Sequence, residues 1–277
     1  TIIVGKGVGS DALAAVGATG TIVFFILGFM NGLTTGFTVL SSQRYGAGDY
    51  EGLRKSVGNA FVLGLIVTVI MTIASLLGMD WLLRIMQTPE DIFDMSKEYI
   101  VIICVGIIFT TLYNLTASIL RAVGNSKVPL YFLILSALLN VVLDLFFIMV
   151  LSWGVAGAAI ATVISQGVSG ILCLVFLLTK VDILKLKKEH FKLDPIGAKI
   201  QLNIGIPMAL QFSITAIGTM ILQAALNLLG STVVASYTAA CKVEQLVTQA
   251  FQAMGMTMAT YSAQNWGIHS TERIRKG

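Results

Sequence analysis

The sequence predicts an all-α, polytopic membrane protein, on three observations. Of its 277 residues 56% are hydrophobic and only 12% are charged, against roughly 25% charged in an ordinary soluble domain. A water-soluble fold of this composition would lack the polar surface to cover its core, whereas a bilayer solvates apolar side chains directly. Its apolar residues also form long unbroken runs instead of the short alternating segments of a closed barrel, the other structure that lipid tolerates.

A helix needs about 20 apolar residues to cross the hydrocarbon. Charge-free stretches from Ala12 to Gln43, Ser56 to Met79, Tyr99 to Leu120 and Gly154 to Thr179 are each long enough. Val128 to Leu151 is interrupted only by Asp144, and Ile200 to Leu229 is a further span. The last runs from Ser231 through Lys242 and Glu244 to Trp266, which makes seven. Gly, Pro and charged residues punctuate them: tight turns at Ser152-Trp153 and Gly230-Ser231, and longer connections at Arg44 to Lys55, Asp80 to Glu98, Arg121 to Lys127 and Lys180 to Lys199. Gly205-Ile206-Pro207 predicts a kink near the start of the Ile200 span.

Alternating the connections between sides gathers fourteen of the eighteen cations, Arg44, Arg54, Lys55, Arg121, Lys127, Lys180 and the Lys185 to Lys192 run among them, on one side. The positive-inside rule makes that side the cytoplasm. Asp11, Asp80, Glu90, Asp91, Asp94 and Glu98 gather on the other. Trp81, Trp153, Trp266, Tyr45 and Tyr99 fall near span ends, where amphipathic rings favour the headgroup level. The basic run is read as a topology signal that also meets anionic lipid, and His190 and His269 as loop residues.

A shift of 221 residues lays Ser10 to Lys55 on Ser231 to Lys276 with nine identities in 46 positions. Ser41-x-Gln43-x-x-Gly46 falls on Ser262-x-Gln264-x-x-Gly267, and Glu51-x-x-Arg54-Lys55 on Glu272-x-x-Arg275-Lys276. Both copies run in the same direction across the membrane, as in transporters whose halves are related by an axis along the membrane normal. The repeat predicts that the chain is a fragment, spans two to eight of twelve. Residues 1–181 form an N-terminal lobe whose first span is truncated, 182–199 a cytoplasmic inter-lobe loop, and 200–277 the start of a C-terminal lobe.

A charge inside a span is costly and points to function by default. Asp144 shares a helix face with Asn140 and Ser136, and Thr162 on the returning helix should reach a similar depth. Their oxygens suit an alkali cation, or the carboxylate alone a proton; the alternative is that Asp144 only bonds a neighbouring helix. Gln211, Thr215, Thr219, Gln223 and Asn227 recur every fourth residue. They read either as one wall of a substrate cavity or as interhelical hydrogen bonding, worth about 0.6 kcal/mol per contact. Lys242 aligns with Gln245, Gln249 and Gln252, for which cavity lining and internal pairing are equally open. Gly28-x3-Gly32-x3-Gly36 reads as a close-packing face. The single Cys104, Cys173 and Cys241 suggest neither a disulfide nor zinc.

Gly5-Lys6 with Ser10 to Gly17, Gln43-x-x-Gly46-Ala47-Gly48-Asp49, Leu120-Arg121-x-x-Gly124-Asn125-Ser126-Lys127-x-Pro129, Asn140-x3-Asp144 and Gly154 to Thr162 together resemble the multidrug and toxic compound extrusion (MATE) family. The resemblance covers essentially the whole chain. It implies twelve helices in two six-helix lobes around a V-shaped cavity, in a multi-pass protein of the bacterial inner membrane. It also implies export of small-molecule drugs or toxic organic cations in exchange for Na+ or H+. The family's cation site matches Asn140, Asp144 and Thr162. The glutamate that some members carry in the seventh span is absent here, which favours a mechanism centred on Asp144. Gln211, Thr215, Thr219, Gln223, Lys242 and Gln245 are the expected cavity residues.

No cofactor is expected beyond the coupling ion, no metal beyond Na+ at the cation site, and no nucleic-acid partner; membrane lipid surrounds an expected monomer. A lipid-linked oligosaccharide flippase is the alternative within transport, disfavoured because Lys242 is the one cation in a span. A seven-helix receptor fits the span count but not the repeat. An intramembrane enzyme would need a nucleophile–base or metal constellation, which the sequence lacks.

Overall fold

A computed structural model describes residues 2–86, 88–227 and 231–277. Its elements are helices throughout: α1 (Ile2–Gly7), α2 (Ser10–Gly46), α3 (Tyr50–Ile85), α4 (Glu90–Val105), α5 (Ile107–Ala122), α6 (Lys127–Asp144) with a π-helical continuation (Leu145–Val150), α7 (Gly154–Lys180), α8 (Pro195–Asn227), α9 (Ser231–Gly267) and α10 (Thr271–Lys276). Two 3-10 turns, Asp182–Leu184 and Lys188–Phe191, lie between α7 and α8. Among the described residues α2, α3, α6 with its π extension, α7 and α8 are each long and apolar enough to cross a membrane, and α4 with α5 adds a sixth if the bent pair is taken as one span. The seventh expected span, α9, is one helix of 37 residues, many of whose side chains lie outside the described residues, as does the turn at 228–230.

The turns follow local chemistry. Gly48 and Gly124 take φ +72° and +86°, where a Cβ would be strained. Asp49 caps α3 by accepting from Gly52 N–H at 2.9 Å and pairs with Arg44 at 2.7 Å. Asn125 accepts from Val128 N–H at 3.2 Å at the start of α6.

Two spans depart from the expected form. The crossing expected from Tyr99 to Leu120 begins at Glu90 and bends by 45° at Gly106. A Cβ at Gly106 would strike the Val163 side chain of α7, so glycine admits that approach. The α6 span changes to π-helix directly after Asp144, an arrangement frequent at functional sites. Pro207 sits inside α8, which continues through it.

The glycine series of α2 packs on α8, as expected. A Cβ at Gly36 would fall on Gly205 Cα, and one at Gly32 would lie 2.6 Å from Ala209 Cα and from Met208 O, while at Gly28 the nearest atom, Phe212 Cβ, is 3.5 Å away. Close approach of backbones is how helices associate in lipid, where burying apolar area gives no net drive. Cys104 and Cys173 are free and buried in the packing; Cys241 is free and partly buried. On the outside of the bundle α6 exposes Leu130, Leu133, Ile134, Leu138, Val141 and Val142, a face that only lipid solvates without cost.

The connection from α7 to α8 is docked. Arg54 Nε donates to Ile183 O at 2.9 Å, Leu184 is buried, and Phe191 meets Phe61 at 6.3 Å between ring centroids. His190, expected in a cytoplasmic loop, is in the connection but 2% exposed. Its Nδ1 accepts from Lys187 N–H at 2.9 Å, so the neutral ring carries its proton on Nε2, which stands 3.2 Å from Glu51 Oε1 and donates to it. Lys185 hydrogen-bonds Asp182 and its charge adds to that, holding the carboxyl below its ordinary range. Both are exposed and add little stability; the buried contacts anchor the segment.

Candidate functional site

Antiparallel packing of α6 on α7 brings Asn140 and Thr162 together. Asn140 Nδ2 donates to Thr162 Oγ1 at 3.3 Å, and Thr162 Oγ1 donates to Ala158 O at 3.0 Å. The same register pairs Ser169 Oγ with Phe132 O at 2.9 Å further along. Asn140 is therefore level with Thr162, and Asp144, one turn on, is level with Ala158. Equal counting from the Ser152-Trp153 turn had put Asp144 itself at the depth of Thr162. The π-helical turns between Asp144 and Leu151 hold more residues per unit length than an α-helix, so Asp144 stands closer to the turn than the count suggests.

Asp144 is half-buried, and its Oδ1 is enclosed with no hydrogen-bond partner among the described residues. An unsatisfied buried carboxylate oxygen is costly unless a proton or cation reaches it. Around it the packing is apolar: Ile148, Val155 and Ala158 form a cluster with Val4 and Ala12, against which Tyr99 and Met95 pack. Ser136, expected on the same face, is buried.

Two nearby groups escaped sequence reading. Tyr99, assigned to the headgroup belt, packs on this cluster within the electrostatic reach of Asp144; no spacing in the sequence connects α4 with α6. Gln166 lies one turn beyond Thr162 on α7, and its Oε1 is buried without a partner among the described residues. The spacing Thr162-x3-Gln166 could have disclosed it.

The stripe on α8 presents Gln211, Thr215 and Thr219, all exposed. Thr215 Oγ1 donates to Gln211 O at 2.9 Å and Thr219 Oγ1 to Ala216 O at 2.7 Å, so both hydroxyls are satisfied within their own helix. The side chains of Gln223, Lys242 and Gln245 lie outside the described residues. A cavity of about 290 Å3 at the basic end is lined by Arg44, Asp49, Glu51, Lys55, Asn59 and Asp194 among others, and by none of the stripe.

A family model described as MatE matches residues 1–146. YpnP of Bacillus subtilis, a probable multidrug resistance protein, is 32% identical over 276 residues, 98% of this chain and 60% of that protein. NorM of Thermotoga maritima, also a probable multidrug resistance protein, is 24% identical over 270 residues, 95% of this chain and 57% of its own length. A transporter of the MOP superfamily from Pyrococcus furiosus superposes with a TM-score of 0.92 at 27% identity, over 99% of this chain and 61% of that one. A MATE multidrug resistance transporter solved in its outward-facing conformation gives 0.91 at 28% identity, over 99% and 61%. The chain thus spans about 60% of the length of these proteins.

Proposed function

The chain belongs to the MatE family, in a multi-pass protein of the cell membrane, and on that premise we propose that the protein is a secondary antiporter. It exports cationic or amphipathic drugs and toxic compounds in exchange for Na+ or H+. The observation that carries the reading is the Asn140–Thr162 hydrogen bond one turn from Asp144, whose Oδ1 is buried without a partner among the described residues. A Na+ or a proton arriving there neutralises the carboxylate and completes a set of hard oxygen ligands to which Asn140 and Thr162 can contribute.

Coupling requires that the cation and the drug prefer different states of the two lobes, since a ligand with equal affinity for both shifts nothing. Neutralising Asp144 removes the cost of a bare buried charge and so favours whichever state encloses the site; drug in the cavity favours the other. Gln211, Thr215 and Thr219 present a polar, exposed face suited to that cavity. The names of YpnP and NorM support a drug substrate.

Ethidium or norfloxacin efflux by the full-length protein, with Asp144→Asn beside wild type, tests the reading. Wild-type efflux should collapse with the Na+ or the H+ gradient, and Asp144→Asn should lose gradient-driven efflux while still reaching the membrane. Undiminished, gradient-dependent efflux by Asp144→Asn would sink the Asp144 mechanism.

A further inference from the structure

The two copies of the repeat motif meet each other in space. A Cβ at Gly46 of α2 would fall on the carbonyl oxygen of Gln264, and a Cβ at Gly267 of α9 would fall on that of Gln43. Shifted by 221, Gly46 becomes Gly267 and Gln43 becomes Gln264. The contact is therefore reciprocal, residue i on j and j on i, as at a two-fold axis. The obstructing atoms are backbone on both sides: the Gly46 Cβ would also lie 2.6 Å from Gln264 C, and the Gly267 Cβ 2.9 Å from Ala47 N. No side chain can turn aside to make room, so any residue larger than glycine pushes the helix ends apart.

Gln264 adds a fastening, since its Nε2 donates to Ala122 O, the last residue of α5, at 2.9 Å. That hydrogen bond satisfies a helix-terminal carbonyl of one lobe with a side chain of the other. Among the described side chains of α9, residues 249–255 are all exposed, and Ala263 and Asn265 near its end are buried. The helices converge at the end where Arg44, Arg54 and Arg121 cluster, the end that the charge bias assigns to the cytoplasm.

We propose that the reciprocal Gly46–Gln264 and Gly267–Gln43 contact, latched by the Gln264–Ala122 hydrogen bond, is the gate that seals the cytoplasmic end between the lobes. Each glycine backbone meets a glutamine backbone tightly over a small area, so the contact exposes little apolar surface when it parts. Its role in transport rests on the antiporter reading; its existence as a gate does not.

The test uses the full-length protein in lipid, spin-labelled at Lys180→Cys on α7 and Arg275→Cys on α10, with Cys241→Ser, and reads the distance distribution between labels. Gly46→Ala and Gly267→Ala should each move population toward the longer, cytoplasm-open distance, changing the peak ratio by about tenfold, the scale set by overpacking a close contact. Gly17→Ala, where a Cβ meets nothing within 4 Å, should leave the distribution as in wild type. Gln264→Leu removes the latch without adding a clash and should open the end to a lesser degree, which keeps the test decisive if an alanine variant fails to fold. Unchanged distances in folded Gly46→Ala, Gly267→Ala and Gln264→Leu would overturn the gate. A wild type that moves no drug while the alanine variants still spread the labels would overturn the antiporter reading and uphold the gate.

Discussion

Asn59 and Gln201, separated by 142 positions, hydrogen-bond through Asn59 Nδ2 and Gln201 Oε1 at 2.8 Å, and both are wholly buried. The Gln201 amide also donates to Phe37 O at 3.0 Å and Ser56 O at 2.8 Å, and Asn59 Oδ1 accepts from Asp194 N–H at 3.1 Å. One buried pair thus ties α8, the start of the expected second lobe, to α2 and α3 of the first. Gln201→Leu should cost about 1–3 kcal/mol, because it strands the Asn59 amide and two carbonyls away from water. A lowered melting temperature in detergent, partly offset in Asn59→Leu/Gln201→Leu, would bear this out; additive losses would mean that the two act separately.

The α2–α8 seam predicts a graded glycine series. Gly36→Ala and Gly32→Ala force a Cβ into backbone atoms and should destabilise by about 1–3 kcal/mol. Gly28→Ala, facing Phe212 at ordinary contact distance, should be close to neutral. Thermal unfolding of the three variants checks the order, and equal effects would argue against backbone contact as the cause.

Thr162 separates site chemistry from folding. Thr162→Val keeps the shape and removes the oxygen that accepts from Asn140. Its cost to stability should be near 0.6 kcal/mol, the scale of one intramembrane hydrogen bond. Meanwhile the cation concentration for half-maximal efflux should rise several-fold, and Thr162→Ser should restore it. A fall in protein level with no change in cation dependence would assign Thr162 to packing.

His190 anchors the docked connection. His190→Ala removes the acceptor for Lys187 N–H and the donor to Glu51, so the segment should open more often and trypsin should cut at Lys185, Lys187 or Lys188 several-fold faster, as cleavage follows the open population. An unchanged digestion rate would show that Arg54, Leu184 and Phe191 hold the segment unaided.

Much of this was legible in the residues. Long charge-free runs give the spans because lipid leaves a helix no other way to satisfy its backbone, and i, i+4 spacing with one short turn grouped Asn140, Asp144 and Thr162, although that count set Asp144 level with Thr162 where the structure sets Asn140. The repeat located Gly46 and Gly267 as equivalents. The bend at Gly106 was not legible, nor was the approach of Val163 from another helix to that glycine. Nor was the π segment after Asp144, which shifts the depth of that carboxylate without a local signature in Leu145–Val150. The charge count placed His190 in a connection correctly, but nothing near it in sequence foretells burial against Glu51, 139 positions away.

By itself the sequence determined the solvent, the helical class, the side on which positive charge gathers and the position of Asp144 inside a span. These follow from local pattern, since hydropathy and helical period act over a few turns. Only the tertiary structure decided which oxygen of Asp144 is left without a partner, that Tyr99 stands near it, and that the two Gly-bearing repeat motifs touch. Contacts of that kind depend on how whole helices are set against one another, and the backbone-to-backbone approach that decides them leaves only a glycine as its trace in the chain.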